Sequence, residues 1–287
     1  DAQESRGLGD VYKRQAMLGD ITLGQYYPGN SFIHGLDPRT KIIVTLLSIV
    51  AVFLAQSVAA YAILWAMVFF VIAVSRLPFL LVLRSVKPLL FIIVLTLAMH
   101  VLIGQGETVL YQWKFIRVTE EGVAMGVKMS MRLMLLLMFS SVLTFTTSPI
   151  VLTDGIESLL RPFRRVGVPA HELAMMMTIA LRFIPTLLEE TDRIIKAQTS
   201  RGADFQSGSL LQRAKNMLPI LIPLFISAFR RADELAVAME ARCYHGGEGR
   251  TRMHQLAYRR GDVAAFGFAV VLLALLALLR WGPLARL

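Results

Sequence analysis

From Ile42 to Ser75 the chain carries no charged residue. A single helix over that run would rise about 51 Å at 1.5 Å per residue, well beyond a hydrocarbon core about 30 Å thick. The pattern therefore predicts a hairpin of two membrane spans, about Thr40 to Ala55 and Val58 to Val74, turning at Gln56-Ser57. A third apolar run, Pro88 to Ile103, predicts another span, followed by a short mixed-charge loop from Gly104 to Glu121. Gly122 to Phe145 makes a fourth span and Val263 to Leu279 a fifth.

Between the fourth and fifth spans the texture changes. From Ser148 to Gly261 apolar residues recur at helical spacing, but charges punctuate every turn or two. Ser148-Pro149 reads as an N-cap with first-turn proline, opening a short helix that Gly167-Val168-Pro169 ends. Two long amphipathic helices follow, about Ala170 to Ser200 and about Leu210 to Ala241, and Pro185, Pro219 and Pro223 should bend them. Their more apolar stretches, Leu173 to Leu188 and Met217 to Phe229, are short and flanked by dense charge. The expectation is thus interfacial or partly embedded helices rather than spans. On the polar faces, Glu189 with Arg193, Asp192 with Lys196 and Arg230 with Glu234 stand at i, i+4, the spacing of helix ion pairs.

Composition agrees with a membrane protein: 55% of the 287 residues are hydrophobic. The formal net charge of +10 could suit nucleic acid, but the basic residues cluster beside the apolar runs, as cytoplasmic loops require. No nucleic-acid partner is expected; the lipid bilayer is. Arg39 and Lys41 before the first hairpin, with Arg76, Arg84 and Lys87 after it, place both its ends in the cytoplasm. Five spans from an inside start leave Arg280 and Arg286 outside, on the side the rule disfavours. One cysteine, Cys243, excludes an intrachain disulfide. Residues Asp1 to Ala16 resemble translated adaptor sequence and read as a non-native extension, with Met17 as the start. The expected fold class is an all-α polytopic membrane protein with about five transmembrane helices and three cytoplasmic or interfacial amphipathic helices. Its regions are residues 1–16, a four-span membrane region at 17–147, a cytoplasmic helical region at 148–261, and a last span within 262–287.

Catalytic chemistry is absent from the pattern. There is no phosphate-binding Gly-Lys loop, and His171-Glu172 lacks the second histidine of a zinc-protease helix. His34, His100, His245 and His254 have no metal-ligand spacing, so neither metal nor cofactor is expected. Lys128 and Arg132 stand at i, i+4 inside the fourth span. Intramembrane cations mark either a functional site or side chains that face the bundle interior or snorkel to the interface. A substrate site there would make the chain a self-sufficient secondary transporter, although it shows neither an internal repeat nor an intramembrane acid.

Two short motifs carry the stronger signal. Ser200-Arg201-Gly202 and Ala241-Arg242-Cys243 each close one of the long amphipathic helices. A C-terminal arginine alone balances a helix dipole, but two on matched helices suit docking into grooves on other proteins. Together with Gly35-Leu36-Asp37-Pro38-Arg39-Thr40-Lys41, Thr146-Thr147-Ser148-Pro149 and Leu181-Arg182-Phe183-Ile184-Pro185, they make the chain resemble the transmembrane T component of energy-coupling factor transporters over Met17 to Leu287. That resemblance implies a non-catalytic scaffold joining two cytoplasmic ABC-type ATPases to a small membrane S component, which binds a vitamin or metal ion. It also implies that the two arginine motifs seat in grooves of the two ATPases. The second motif departs from the family pattern, which often has glycine where Cys243 stands; cysteine is small enough to be accommodated.

Overall fold

The computed structural model describes residues 25–103, 108–113, 116–203, 205, 209–246 and 255–281. The adaptor-like extension, Met17, the linker from Gly247 and Arg286 lie outside the described residues. The chain divides into two compact units, one formed by residues 24–155 with 255–287 and the other containing residues 156–254.

The first unit is a helical bundle. Helix α1 (Pro38–Leu54) begins where Asp37 caps it, the carboxylate accepting the Arg39 N–H at 2.9 Å, with Pro38 in the first turn. Helix α2 (Val58–Ser75) starts at Ser57, whose hydroxyl accepts the Ala60 N–H, and stops at Arg76 in the left-handed region. The hairpin therefore turns at the predicted Gln56-Ser57. Helix α3 (Phe79–Val86) leads through a 3-10 turn (Lys87–Leu89) into α4 (Leu90–Ile103). Pro88 thus sits within a junction of two helices instead of opening a span: it has no N–H to donate, and the tighter turn accommodates that.

The stretch expected to be a loop contains an antiparallel hairpin, β1 (Val109–Trp113) and β2 (Ile116–Thr119), with Trp113 opposite Ile116. Its signal was alternation, Val109-x-Tyr111-x-Trp113 and Ile116-x-Val118, over runs too short to stand out beside the spans. Helix α5 (Glu120–Thr146) is capped by Thr119 and carries Glu120 and Glu121 at its positive end. It passes close to α4 at Gly126, where an added Cβ would lie 3.1 Å from Leu97 Cδ1 and 3.2 Å from His100 Cβ. Helix α6 (Pro149–Leu160) begins in this unit, and its Gly155 lies against Pro38 and Ile42 of α1. Helix α9 (Arg260–Trp281) returns to pack on α1. The core draws on α2, α3, α5 and α9, with Leu64, Val82, Leu135 and Leu276 almost wholly buried.

A buried polar junction ties the start of α1 to the start of α9. Asp262 Oδ1 accepts the Asp37 N–H and Oδ2 the Arg259 N–H, each at 2.7 Å. The Arg39 guanidinium donates to both Asp37 oxygens and lies 4.3 Å from the centre of the Tyr258 ring. Lys41 Nζ donates to the carbonyls of His34 and Thr146, each at 3.0 Å. Asp37, Lys41 and Asp262 are buried and hydrogen-bonded, as buried charges require, while Arg39 is partly and Arg259 and Tyr258 are largely open to solvent.

The second unit holds the remainder of α6, a 3-10 turn (Arg161–Val166) ended by Gly167 at φ 89°, and two long helices, α7 (Ala170–Ser200) and α8 (Leu210–Ala241). Both run unbroken through their prolines and pack against each other.

Among the described residues, five helical segments are long and apolar enough to cross a membrane: Val58–Ser75, Phe79–Leu102, Glu120–Thr146, Ala170–Ser200 and Arg260–Arg280. The protein is an all-α polytopic membrane protein. Two differences from the sequence expectation stand out. Helix α1 is only 17 residues long and begins beside two cations, and α7 meets the length and composition of a span although its second half is charged. Only 6% of the apolar stretch of α7 is buried, against 39% for α2, so α7 presents its apolar face outward.

Candidate functional site

The C-terminal ends of α7 and α8 have the same backbone geometry. In α7, Arg201 is the C-cap; the Gly202 N–H reaches the Thr199 carbonyl at 2.9 Å and the Ala203 N–H the Gln198 carbonyl at 3.0 Å. In α8, Arg242 is the C-cap; the Cys243 N–H reaches the Glu240 carbonyl at 2.9 Å and the Tyr244 N–H the Met239 carbonyl at 3.0 Å. Each is a Schellman ending, in which the residue after the cap turns left-handed and two otherwise orphaned carbonyls are satisfied.

Gly202 fills the left-handed position at φ 86° without penalty, and Cys243 fills it at φ 56°. A non-glycine residue held there costs about 1 to 3 kcal/mol, so the constraint at Cys243 is backbone handedness and not side-chain size alone. Sequence reasoning weighed only the size. The helix-ending glycine of the first motif was the available signal that the second must adopt the same turn.

Arg201 and Arg242 are exposed, as are Ser200, Gly202, Ala241 and Cys243. Neither guanidinium has a hydrogen-bond or ion-pair partner among the described residues. Each offers a planar array of donors able to bind carbonyl or carboxylate oxygens bidentately. The geometry is that of two equivalent, exposed cationic ends on long helices.

Upstream of those ends, Asp192 pairs with Lys196 at 2.6 Å and Arg230 with Glu234 at 3.1 Å, as their spacing predicts. The expected pair Glu189–Arg193 is not formed; in water such pairs gain little over hydration. Instead the neighbouring Glu190 reaches across to α8 and accepts from Arg231 at 2.8 Å. Sequence spacing along one helix could not reveal that contact. A face of α8 formed by Leu221, Ile222, Phe225, Ile226 and Phe229 is exposed and borders an open groove of about 740 Å³ that ends at Arg230, Asp233 and Glu234.

Lys128 and Arg132 share a helix face in α5 but not an environment. Lys128 is exposed, whereas Arg132 is half-buried and donates to the Ala55 carbonyl at 3.4 Å, with its guanidinium 5.8 Å from the Phe53 ring centre. Ala55 is the C-cap of α1, so Arg132 sits at the negative end of that helix and serves an unpaired carbonyl. Among the described residues, no three His, Cys, Asp or Glu side chains group as a metal site.

Residues 29–254 match the family described as cobalt transport protein, CbiQ. The chain is 68% identical over 266 residues to the energy-coupling factor transporter transmembrane protein EcfT of Acidaminococcus fermentans, an alignment covering 93% of this chain and 99% of that protein. It is 54% identical to the protein of that name from Ruminiclostridium cellulolyticum, covering 92% and 99% of the two chains. The identity to its Bacillus subtilis counterpart is 46%, with coverage of 92% and 100%.

Proposed function

The chain belongs to the CbiQ/EcfT family of energy-coupling factor transporter transmembrane proteins, and on that premise we propose that α7 and α8 couple two cytoplasmic ABC-type ATPases to a small membrane S component. The observation that carries the reading is the pair of equivalent Schellman ends, each presenting an exposed arginine without a partner among the described residues. Arg201 docks in one ATPase and Arg242 in the other. Nucleotide-driven movement of the ATPases then shifts two rigid helices, a transmission of the hinge and shear kind.

The exposed apolar faces of α7 and α8 suit the membrane and the S component, which carries the vitamin or metal-ion cargo. In this reading residues 148–261 lie on the cytoplasmic side of the cytoplasmic membrane of a bacterium or archaeon, the N-terminus is cytoplasmic, and this subunit performs no catalysis. The alternative of a self-sufficient secondary transporter rested on Lys128 and Arg132. Its support weakens because Arg132 is engaged with the α1 terminus while Lys128, on the same helix face, is exposed.

The test is Arg201→Ala, Arg242→Ala and the double change, compared in membranes containing equal amounts of the subunit. Loss of an exposed helix-end arginine should leave insertion intact. Loss of an interfacial guanidinium costs about 2 to 5 kcal/mol, or about 30-fold and more in affinity. ATPase recovery or the coupling of hydrolysis to uptake should therefore fall in each variant and fall further in the double. Wild-type coupling in the double variant overturns the assignment.

A further inference from the structure

The Glu190–Arg231 contact joins residues 41 positions apart, and the same interval separates Arg201 from Arg242. Each partner of the ion pair therefore lies eleven residues before the arginine at the end of its own helix. Eleven residues of α-helix rise about 16.5 Å and complete about three turns, so each arginine returns to nearly the helix face that holds the ion pair. The two helices extend from one contact as arms of equal length.

Three of the four charged positions around the contact are inverted between the helices. On α7 the sequence is Glu189-Glu190-Thr191-Asp192-Arg193; at the matching positions of α8 it is Arg230-Arg231-Ala232-Asp233-Glu234, with aspartate common to both. Moving the contact one turn toward the end of α8 brings Glu190 to Glu234, and moving it one turn toward the end of α7 brings Arg231 to Arg193. Both slips shorten an arm, and both set like charges together. Slips in the other direction bring Arg231 to Thr186 or Leu187, or Glu190 to Ser227 or Ala228, and leave a charge without a partner. A shift of the contact along either helix alone is thereby penalised, whereas only a joint shift along both, which sets Arg193 against Glu234, keeps opposite charges together.

We propose that Glu190 and Arg231 are positioning residues that form the pivot of the two-helix lever, fixing the distance between the Arg201 and Arg242 ends. Their side chains remain about one-third exposed, at 30% and 34%, so the pair contributes little to stability as a surface ion pair. Its effect is on register. With arms of about 16.5 Å, the ends stand at most about 33 Å apart, and a slip of one turn changes one arm by about 5.4 Å. That is enough to lift a guanidinium out of a groove. The pivot's role in transport rests on the coupling function proposed above; its geometric role does not.

The experiment uses the full chain in lipid nanodiscs, spin-labelled at the native Cys243 and at Thr199→Cys, with pulsed electron paramagnetic resonance to read the distance between the ends. The unmodified pair should give one narrow distribution. Glu190→Arg and Arg231→Glu should each broaden or displace it, and the combined swap should restore it. In the reconstituted transporter without labels, each single change should lower uptake per ATP hydrolysed several-fold while ATPases still co-purify, and the swap should recover it. A wild-type distribution in both single variants, or a swap that restores nothing, overturns the pivot. Altered distances with wild-type uptake overturn its role in transport. Normal coupling in the Arg201→Ala, Arg242→Ala double variant defeats the docking function instead, and the distance measurement still decides the geometry.

Discussion

Replacing Asp262 by alanine tests whether the buried polar junction holds the bundle closed. Asp262 is 2% exposed, and its two oxygens accept from the Asp37 and Arg259 amides at 2.7 Å. A hydrogen bond to a charged group is worth about 1.5 to 3 kcal/mol, so the two together set a range of about 3 to 6 kcal/mol. The Arg259 donor is only partly buried and can recover water, which places the expected loss near the lower end, about 3 to 4 kcal/mol. Asp262→Asn retains one acceptor oxygen of neutral strength and turns an NH2 donor toward the other amide, so it should lose more than half as much but less than the alanine variant. Thermal unfolding of the purified chain in one mild detergent, followed by loss of helical circular dichroism, measures the order. Wild type should unfold last, Asn next and Ala first. Unfolding of the Ala variant together with wild type, or of Asn before Ala, refutes the claim that the carboxylate's two hydrogen bonds hold this junction.

Topology is checked with single cysteines in a Cys243→Ser background: Val109→Cys should react only with reagent added outside, and Leu211→Cys only from the cytoplasmic side. Outside labelling at residue 211 would defeat the proposed orientation. Arg132→Lys should retain transport, because an ammonium can still serve the Ala55 carbonyl, whereas Arg132→Met should lower the unfolding temperature without changing which cargo is taken up. Lys128→Arg should change neither, and altered cargo selectivity in that variant would revive the secondary-transporter reading.

Four of the five expected spans and the two long helices were legible because their signals are local. An uncharged run too long for a single bilayer crossing, a Ser-Pro start and an Arg-Gly stop are each contiguous in the sequence. Helices α7 and α8 accordingly begin and end at the residues their periodicity and caps predict. Hidden were the features built by residues distant in sequence. Asp262 looked like an ordinary first-turn acid until Asp37, 225 positions away, came to rest on it. Glu190 looked like one member of a charged helix face until Arg231 crossed to it. The αL turn at Cys243 was hidden for another reason: cysteine rarely marks a helix end, and only the matching of α8 to α7 exposes it. The hairpin at Val109–Thr119 was masked by its short length and mixed composition.

The junction at Asp262 also bears on how the chain is made. A ribosome releases the first hairpin long before α9, and during that interval Asp37 and Arg39 exist without the carboxylate that will receive the Asp37 amide. The early helices can enter the bilayer, but the rim at Asp37 stays unsealed until α9 has emerged. Closure of this junction is thus coupled to synthesis of α9. A chain interrupted before α9 lacks the Asp262 carboxylate and leaves the Asp37 amide without its acceptor, a local opening of the kind that proteolysis follows.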